Sequence, residues 1–309
     1  MGAALKAERL DAGIVAIDTQ MAGYEEVVAA FVVPGDRPAV VETGPATVTQ
    51  TLTDGLAALG LGPDDVAYFV VSHVHLDHAG AAGDVAERFP RAQVVVHSAG
   101  ARHLADPSRL MASAQRVFGE RMSTFGPLRP VPEDRLLAVD PGARLDLGGG
   151  RSLEIVEARG HAKHHMAIQD SDSGVLFVGD SMGVYLPEAD VLRPATPPPD
   201  FDLDVALATL RGFRARDPRG LYLTHYGPAP GDRDFIAEAE ERLVRYGAIV
   251  KEAMAESTDV EFLAERLRER TWDDYRAVHD RPEVLAKFEA LNAWRSSAAG
   301  YLRYFQTTD

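Results

Sequence analysis

Residues 72–80 of this chain are Ser72-His73-Val74-His75-Leu76-Asp77-His78-Ala79-Gly80, which places three histidines and an aspartate in the pattern His-x-His-x-Asp-His. Imidazole and carboxylate groups both bind divalent metal ions. The apolar run over residues 67–71 is typical of a buried strand, and the segment rich in Gly and Ala after residue 78 favours a helix start. The pattern therefore predicts a metal site at the end of a buried strand.

An exposed, solvated loop rich in histidine is the alternative interpretation of the same stretch. Burying three imidazoles and a carboxylate within six residues costs free energy unless other groups compensate them. A metal ion would compensate all four at once, so the sequence favours the metal site.

Three further polar residues, His161, Asp180 and His225, each follow an apolar, strand-like run. Adjacent strands end at a common edge of a sheet, so side chains far apart in sequence can meet there. Five histidines and two aspartates fit an open site for two ions, with three protein ligands on each, one bridging carboxylate and room for a water. The seven candidate ligands are His73, His75, Asp77, His78, His161, Asp180 and His225.

Composition narrows the class of protein. With 309 residues, 46% hydrophobic and 26% charged, the chain is predicted to be a globular protein of one or two domains. It has no cysteine, which excludes disulfides, iron–sulfur clusters and thiol nucleophiles. The net charge of -15 argues against nucleic-acid binding. We expect a cytoplasmic protein without membrane contact, since the sequence shows neither a secretory signal nor an apolar run of about 18 residues.

The order of predicted elements favours an α/β (α+β) domain over residues 1–228 and a helical extension over residues 229–309. Strand-like and helix-like segments alternate up to residue 100, short strands dominate residues 135–180, and helical patterns fill residues 232–304. Residues 107–126 predict a helix that covers the core, or else a flap over a substrate pocket. The extension is predicted to pack on the main domain or to form a homodimer contact, and it could also shape the pocket.

The chain resembles the metallo-β-lactamase-fold metallohydrolase superfamily, which includes hydroxyacylglutathione hydrolases (glyoxalase II), acyl-homoserine lactonases and RNase Z. The resemblance covers residues 14–228. It implies a four-layer αββα sandwich with a C-terminal helical extension. The matching pieces, in family order, are residues 72–80, Gly160-His161, Val178-Gly179-Asp180 and Leu223-Thr224-His225.

The resemblance also implies two divalent ions, with zinc as the default and with iron and manganese suited to the same nitrogen and carboxylate donors. One ion would be held by His73, His75 and His161, the second by Asp77, His78 and His225, and Asp180 would bridge the two.

The implied activity is hydrolysis of an ester, thioester, lactone or amide bond of a small molecule by a bridging hydroxide. Asp77 would orient the hydroxide and shuttle its proton, and Tyr185 and Tyr226 are candidate donors to an oxyanion. The alternative is a non-haem iron redox protein of the same fold, acting on sulfur compounds, oxygen or nitric oxide with a separate electron donor. A scaffold protein without turnover is disfavoured, because a structural site is normally closed and needs one ion.

Two departures from the family pattern stand out. The Asp of the family's strand-Asp-Thr-Gly element is Glu42 here, which keeps a carboxylate on a longer side chain. The family's Gly-His-Thr-Pro-Gly-His is Gly160-His161-Ala162-Lys163-His164-His165. Lys163 and His164 are predicted to face solvent, with a place at the pocket mouth as the alternative.

Overall fold

The computed structural model describes residues 6–291 and 293–308. The chain folds into two compact units: the first comprises residues 1–156 and 166–177, and the second comprises residues 157–165 and 178–309. The predicted division at residue 228 marks the change from mixed to helical sequence patterns, whereas these units are compact parts of the structure. The division at residue 228 therefore stays a prediction. Within the part of the chain that is described, no helix is both long enough and apolar enough to cross a membrane.

In the first unit the described residues form a seven-stranded sheet whose strands lie in chain order. β1 to β4 pair antiparallel, and β4 to β7 pair parallel. The parallel strands are apolar without alternation, as expected where both faces of a sheet are covered. The strands are β1 Ala7–Arg9, β2 Val15–Asp18, β3 Ala29–Val33, β4 Ala39–Val41, β5 Tyr68–Val70, β6 Gln93–His97 and β7 Leu136–Val139.

Helices cover this sheet with the faces that the sequence predicts. Leu52 and Leu56 of the first helix pack in one core cluster with Val40 and Phe69 of the sheet. The helical pattern over residues 107–126 is realised as two helices separated by a 3-10 turn, Gly119–Arg121. The helices are α1 Thr49–Ala58, α2 Leu76–Ala79, α3 Ala82–Arg88, α4 Ser98–Ala105, α5 Ser108–Phe118 and α6 Met122–Phe125.

A second group of strands lies side by side, in the order β8 to β11. β8 pairs antiparallel with β9, and β10 pairs antiparallel with β11. These strands match the short apolar runs predicted over residues 135–180. Their bounds are β8 Arg144–Gly148, β9 Arg151–Glu157, β10 Met166–Asp170 and β11 Val175–Gly179.

The second unit contains a buried hairpin, β12 and β13, that sequence analysis missed, followed by mostly helical structure. Asp202 caps α7 by accepting the Val205 N–H at 3.1 Å, as its sequence position predicts. The elements are β12 Val184–Leu186, β13 Val191–Arg193, α7 Leu203–Arg216, β14 Gly220–Leu223, β15 Gly227–Pro228, α8 Phe235–Ala253, α9 Val260–Thr271, α10 Pro282–Leu291 and α11 Trp294–Thr308.

The sequence pattern predicts one helix over residues 282–304, where the structure has two, α10 and α11. The Ala293 carbonyl accepts hydrogen bonds from the N–H groups of Ser296 and Ser297, which starts the new helix. The predicted class, mixed α/β with a C-terminal helical region, is confirmed.

A buried ion pair joins β9 to β10 in the first unit. The Arg151 guanidinium donates from Nε and Nη2 to the two carboxylate oxygens of Asp170, both at 2.8 Å. Burial alone would raise the pKa of the fully buried Asp170 carboxyl, but hydrogen bonds from Arg151 and Ser173 bring that pKa below its ordinary value. The pair therefore stabilises the folded state while Asp170 is ionised.

We expect Asp170→Asn to lower the free energy of unfolding by about 3–5 kcal/mol, because it leaves a buried guanidinium without its anion. The Asp170 contribution is full above about pH 4 and is lost as the pH falls through its lowered folded-state pKa, so the variant should also lose stability less steeply in acid. Urea denaturation at several pH values measures both effects. Asp172→Asn, on an exposed neighbour, is the matched control, and equal losses in the two variants would contradict the prediction.

Candidate metal centre

The first cluster of candidate ligands follows β5, the strand between β4 and β6 in the parallel part of the sheet. The chain leaves the strand at residue 71, passes His73 and His75, and enters the short helix α2, in which Asp77 and His78 lie. His73 and His78 are fully buried, whereas His75 and Asp77 are partly exposed. The predicted placement of the motif at the end of a buried strand is therefore confirmed.

The imidazoles of this cluster are packed against one another. His73 Nε2 lies 2.8 Å from His75 Nδ1, and the ring centroids of His73 and His78 are 4.1 Å apart. Two positive charges about 4 Å apart would repel each other by about 4 kcal/mol at an effective dielectric constant of about 20. Such a cluster favours neutral rings, whose lone pairs are available to a cation.

Buried acceptors and donors fix the orientation of these rings. Glu42, fully buried, lies with Oε1 3.1 Å from His78 Nδ1 and with Oε2 3.3 Å from the Ser72 N–H. The Ser72 hydroxyl lies 3.0 Å from His73 Nδ1. The Glu42 carboxylate accepts from Nδ1 of His78, which leaves Nε2 of that histidine as the ligand atom. Glu42 follows β4, a parallel neighbour of β5, so the carboxyl ends of both strands lie at one edge of the sheet and bring Glu42 within reach of His78.

The second unit brings together His161, Asp180 and His225. Asp180 directly follows β11, and His225 lies two residues beyond β14. The Nε2 atoms of the two histidines each lie 3.5 Å from an oxygen of Asp180, His161 from Oδ2 and His225 from Oδ1. All three residues are buried. A carboxylate with one oxygen toward each of two imidazoles has the arrangement of a bridging ligand.

Second contacts hold this group in place as well. His161 Nδ1 lies 2.9 Å from the Ala195 carbonyl, so that Nδ1 carries the proton and Nε2 has the lone pair. Gly160 has φ 128°, and a Cβ there would lie 2.4 Å from Cα of Ala206 on α7, so the turn that presents His161 requires glycine.

His165 supports Asp180 from the other side. It is fully buried, and its Nε2 accepts the Asp180 N–H at 3.0 Å. Sequence analysis aligned His165 with the family's second histidine but gave it no task, because a backbone contact leaves no pattern in the sequence.

The sequence prediction for the two residues between these histidines is half right. Lys163 is exposed, with its ammonium 3.4 Å from the Asp200 carboxylate, as predicted. His164 is only 8% exposed, so the expectation that it faces solvent is wrong. The tight turn closed by the His165 N–H on the Ala162 carbonyl leaves one of the two intervening side chains inside and the other outside.

The candidate catalytic tyrosines differ in their surroundings. The Tyr185 hydroxyl donates to Asp190 Oδ1 at 2.9 Å, and its ring packs edge-on against Phe235. Burial and the Asp190 contact raise the pKa of Tyr185 to about 12. Tyr226, next to the candidate ligand His225, is partly exposed. Their catalytic assignment stays a prediction.

The donor set fits divalent metal ions. Within the described residues, groups of three buried or half-buried His and Asp side chains could each hold an ion, and all seven predicted ligands occur among them. Every donor is an imidazole nitrogen or a carboxylate oxygen, which suits zinc, iron or manganese alike.

Comparison with protein families gives a match to the metallo-beta-lactamase superfamily over residues 23–225, which is more than half of the chain. The matched region contains all seven predicted ligands. The metallo-beta-lactamase fold-containing protein ST1585 of Sulfurisphaera tokodaii is 30% identical over 190 residues, or 60% of this chain and 68% of the relative. The crystal structure of ST1585 superposes with a TM-score of 0.62 at 22% identity, covering 86% of this chain and 98% of that one. The predicted fold type is therefore confirmed.

Other relatives are similar over shorter regions. A putative diflavin flavoprotein A 1 of Nostoc sp. is 28% identical over 156 residues, which is 50% of this chain but only 23% of that longer protein. The N-acyl homoserine lactonase AttM of Azorhizobium caulinodans is 34% identical over 110 residues, 36% of this chain and 38% of the lactonase.

Because burial and Asp190 keep Tyr185 protonated, we expect its phenol not to ionise below about pH 11, whereas an ordinary tyrosine ionises near pH 10. Ultraviolet titration of phenolate should therefore give superimposable curves for the wild-type protein and Tyr185→Phe up to about pH 11. Loss of one titrating phenol from the variant in this range would show that the Asp190 contact does not control Tyr185.

Proposed function

Since the chain belongs to the metallo-β-lactamase superfamily, we propose that it is a dinuclear metal-dependent hydrolase of a small molecule with an ester, thioester, lactone or amide bond. The observation that carries the proposal is the placement of the Asp180 carboxylate, with one oxygen 3.5 Å from each of the two buried ligands His161 and His225. A carboxylate that bridges two ions keeps them close enough to share a water, whereas a purely structural site needs a single ion with a closed ligand shell.

The chemistry that the bound ions would supply is acidification of a shared water and polarisation of the bond to be cleaved. The first ion would be held by His73, His75 and His161, the second by Asp77, His78 and His225, with Asp180 between them.

Residues of the protein would orient the attacking water, transfer its proton and donate to the oxyanion. Asp77 is partly exposed, with 19% of its side chain accessible, and its Oδ2 lies 3.8 Å from His78 Nε2, so one carboxylate oxygen lies on the ligand side and the side chain keeps some access to solvent. We assign it the orientation of the attacking water and the transfer of its proton to the leaving group. We keep Tyr226 as the candidate oxyanion donor because it directly follows the ligand His225 in the chain, whereas the Tyr185 hydroxyl donates to Asp190.

The similarity to a putative diflavin flavoprotein favours a second candidate, a non-haem iron redox protein of the same fold. The same imidazole and carboxylate donors bind iron, so the ligand set does not separate the two functions. This candidate requires an electron donor, and the matched region spans less than a quarter of the relative's length.

Metal analysis combined with a substrate panel separates the candidates. For the hydrolase we expect two divalent ions per chain, turnover of at least one class among thioesters, lactones, esters and amides, and loss of turnover on chelation that zinc restores. The redox candidate predicts iron, visible absorption and consumption of oxygen or nitric oxide when a reductant is supplied. A two-metal protein that cleaves no member of a broad panel would refute the hydrolase.

Replacement of Asp77 tests the assigned proton transfer. We expect Asp77→Asn to lower kcat/KM about 100-fold or more on a panel substrate, since positioned proton transfer contributes about 10²–10⁴ in rate. Asp54→Asn is the matched control, because Asp54 is exposed on α1 and its carboxylate accepts a hydrogen bond from the Gln50 amide. An Asp77→Asn variant that turns over at the rate of the control would exclude the assigned role.

A further inference from the structure

Residues 183–196, which include the hairpin of β12 and β13 and the irregular segment after it, contact the backbone or side chain of each ligand in the second unit. The Tyr185 N–H donates to the His225 carbonyl at 2.6 Å, and the Gly183 N–H donates to the Asp180 carbonyl at 3.0 Å. The Ala195 carbonyl lies 2.9 Å from His161 Nδ1. One segment therefore determines where these ligands lie and which tautomer His161 adopts.

The C-terminal helices hold this segment through Arg193, the last residue of β13. Its side chain is fully buried, with Nε donating to the Tyr275 hydroxyl at 2.6 Å and Nη1 to Glu289 of α10 at 2.8 Å. The guanidinium also lies over the rings of Tyr275, Phe288 and Trp294, at 4.8, 4.6 and 3.9 Å from their centroids. A buried guanidinium is stable only where acceptors, anions and aromatic faces compensate its charge. These partners therefore fix the position of the Arg193 side chain.

A second buried cation belongs to the C-terminal helices and contacts the hairpin. Lys287 of α10 is 4% exposed, and its ammonium lies 2.7 Å from Glu188 in the turn of the hairpin. Arg193 thus extends from the hairpin to the C-terminal helices, and Lys287 extends from these helices to the hairpin. Reciprocal pairs of this kind fix the register between the two elements.

The backbone of α11 completes the contact at the exit. A Cβ added at Gly300 would lie 1.8 Å from the Thr196 carbonyl oxygen, so the helix and the segment approach as closely as glycine allows. The Ser297 hydroxyl lies 3.4 Å from the Pro194 carbonyl, on the other side of Ala195. The carbonyl that orients His161 is therefore flanked by two residues that contact α11.

We propose that the C-terminal helices are a positioning device for the metal ligands His161 and His225, acting through residues 183–196. The inference rests on the proposed metal centre and adds a task for the helical region. Arg193 and Gly300 are its positioning residues. They touch neither metal nor substrate, and they act by fixing the Ala195 carbonyl and the hairpin backbone.

Gly300→Ala tests the proposal, because the added methyl must displace the Thr196 carbonyl and with it Ala195. Gly247→Ala is the matched control: it also adds a methyl inside the helical region, where the nearest atom belongs to the Tyr301 ring at 3.1 Å. Zinc affinity is measured by competition with a chromophoric chelator, and the protonated nitrogen of His161 is identified by nitrogen-15 NMR of the metal-free protein.

For Gly300→Ala we expect zinc affinity at one of the two sites to fall about 10- to 100-fold, as for other contacts that orient a ligand, and His161 to lose its preference for the Nδ1–H tautomer. The control should keep both. A variant that is merely less stable would show a lower Tm without the change in His161. Unchanged affinity and an unchanged tautomer in a folded Gly300→Ala protein would overturn the proposal.

If Gly300→Ala does not fold, Arg193→Lys is the second test. Lysine at this position keeps the buried charge but loses the two-point contact with Tyr275 and Glu289. The same two measurements apply, with the same expected and contrary results. A wild-type protein that binds fewer than two zinc ions would refute the proposed metal centre itself. Two ions bound with equal affinity in the wild-type protein and the variants would refute only the positioning role.

Discussion

The site depends on the contacts that three of the five candidate histidine ligands make with their Nδ1 atoms. Glu42 lies at Nδ1 of His78, Ser72 at Nδ1 of His73, and the Ala195 carbonyl at Nδ1 of His161. The Glu42 and Ala195 oxygens are acceptors, so they leave the lone pairs of His78 and His161 on Nε2, and all three partners are buried. Without these partners the buried imidazoles could rotate and exchange between tautomers, and a metal ion would have to order them on binding.

The fold supplies those partners from the ends of regular elements. In the first unit, β4 and β5 run parallel, so Glu42 and Ser72 leave the sheet at one edge. The requirement at this edge is a carboxylate within reach of His78, and the chain meets it with Glu where the family pattern has Asp. The backbone accommodates the change at φ 71° for Glu42, a left-handed conformation in which the longer side chain still reaches the ring.

The sequence predicts what depends on side-chain type and local period. The apolar runs that became β5, β11 and β14 and the polar residues after them were identifiable, because buried strands and metal ligands each have a composition of their own. The hairpin of β12 and β13 was missed, since three-residue strands are too short to show a period. The burial of His164 and the tasks of His165 and Ala195 also escaped prediction, because they arise from backbone geometry and tertiary contacts.

The buried guanidinium of Arg193 has a consequence for how this chain can diverge. Its aromatic and acidic neighbours come from a 3-10 turn and two helices that lie about 80 to 100 residues further along the chain. If recombination replaced about the last 80 residues with those of a homologue, the Arg193 guanidinium would be buried without its partners unless residue 193 changed as well. We therefore expect substitutions in the hairpin and in the C-terminal helices to depend on one another, although Arg193 and α10 lie nearly ninety residues apart in the chain.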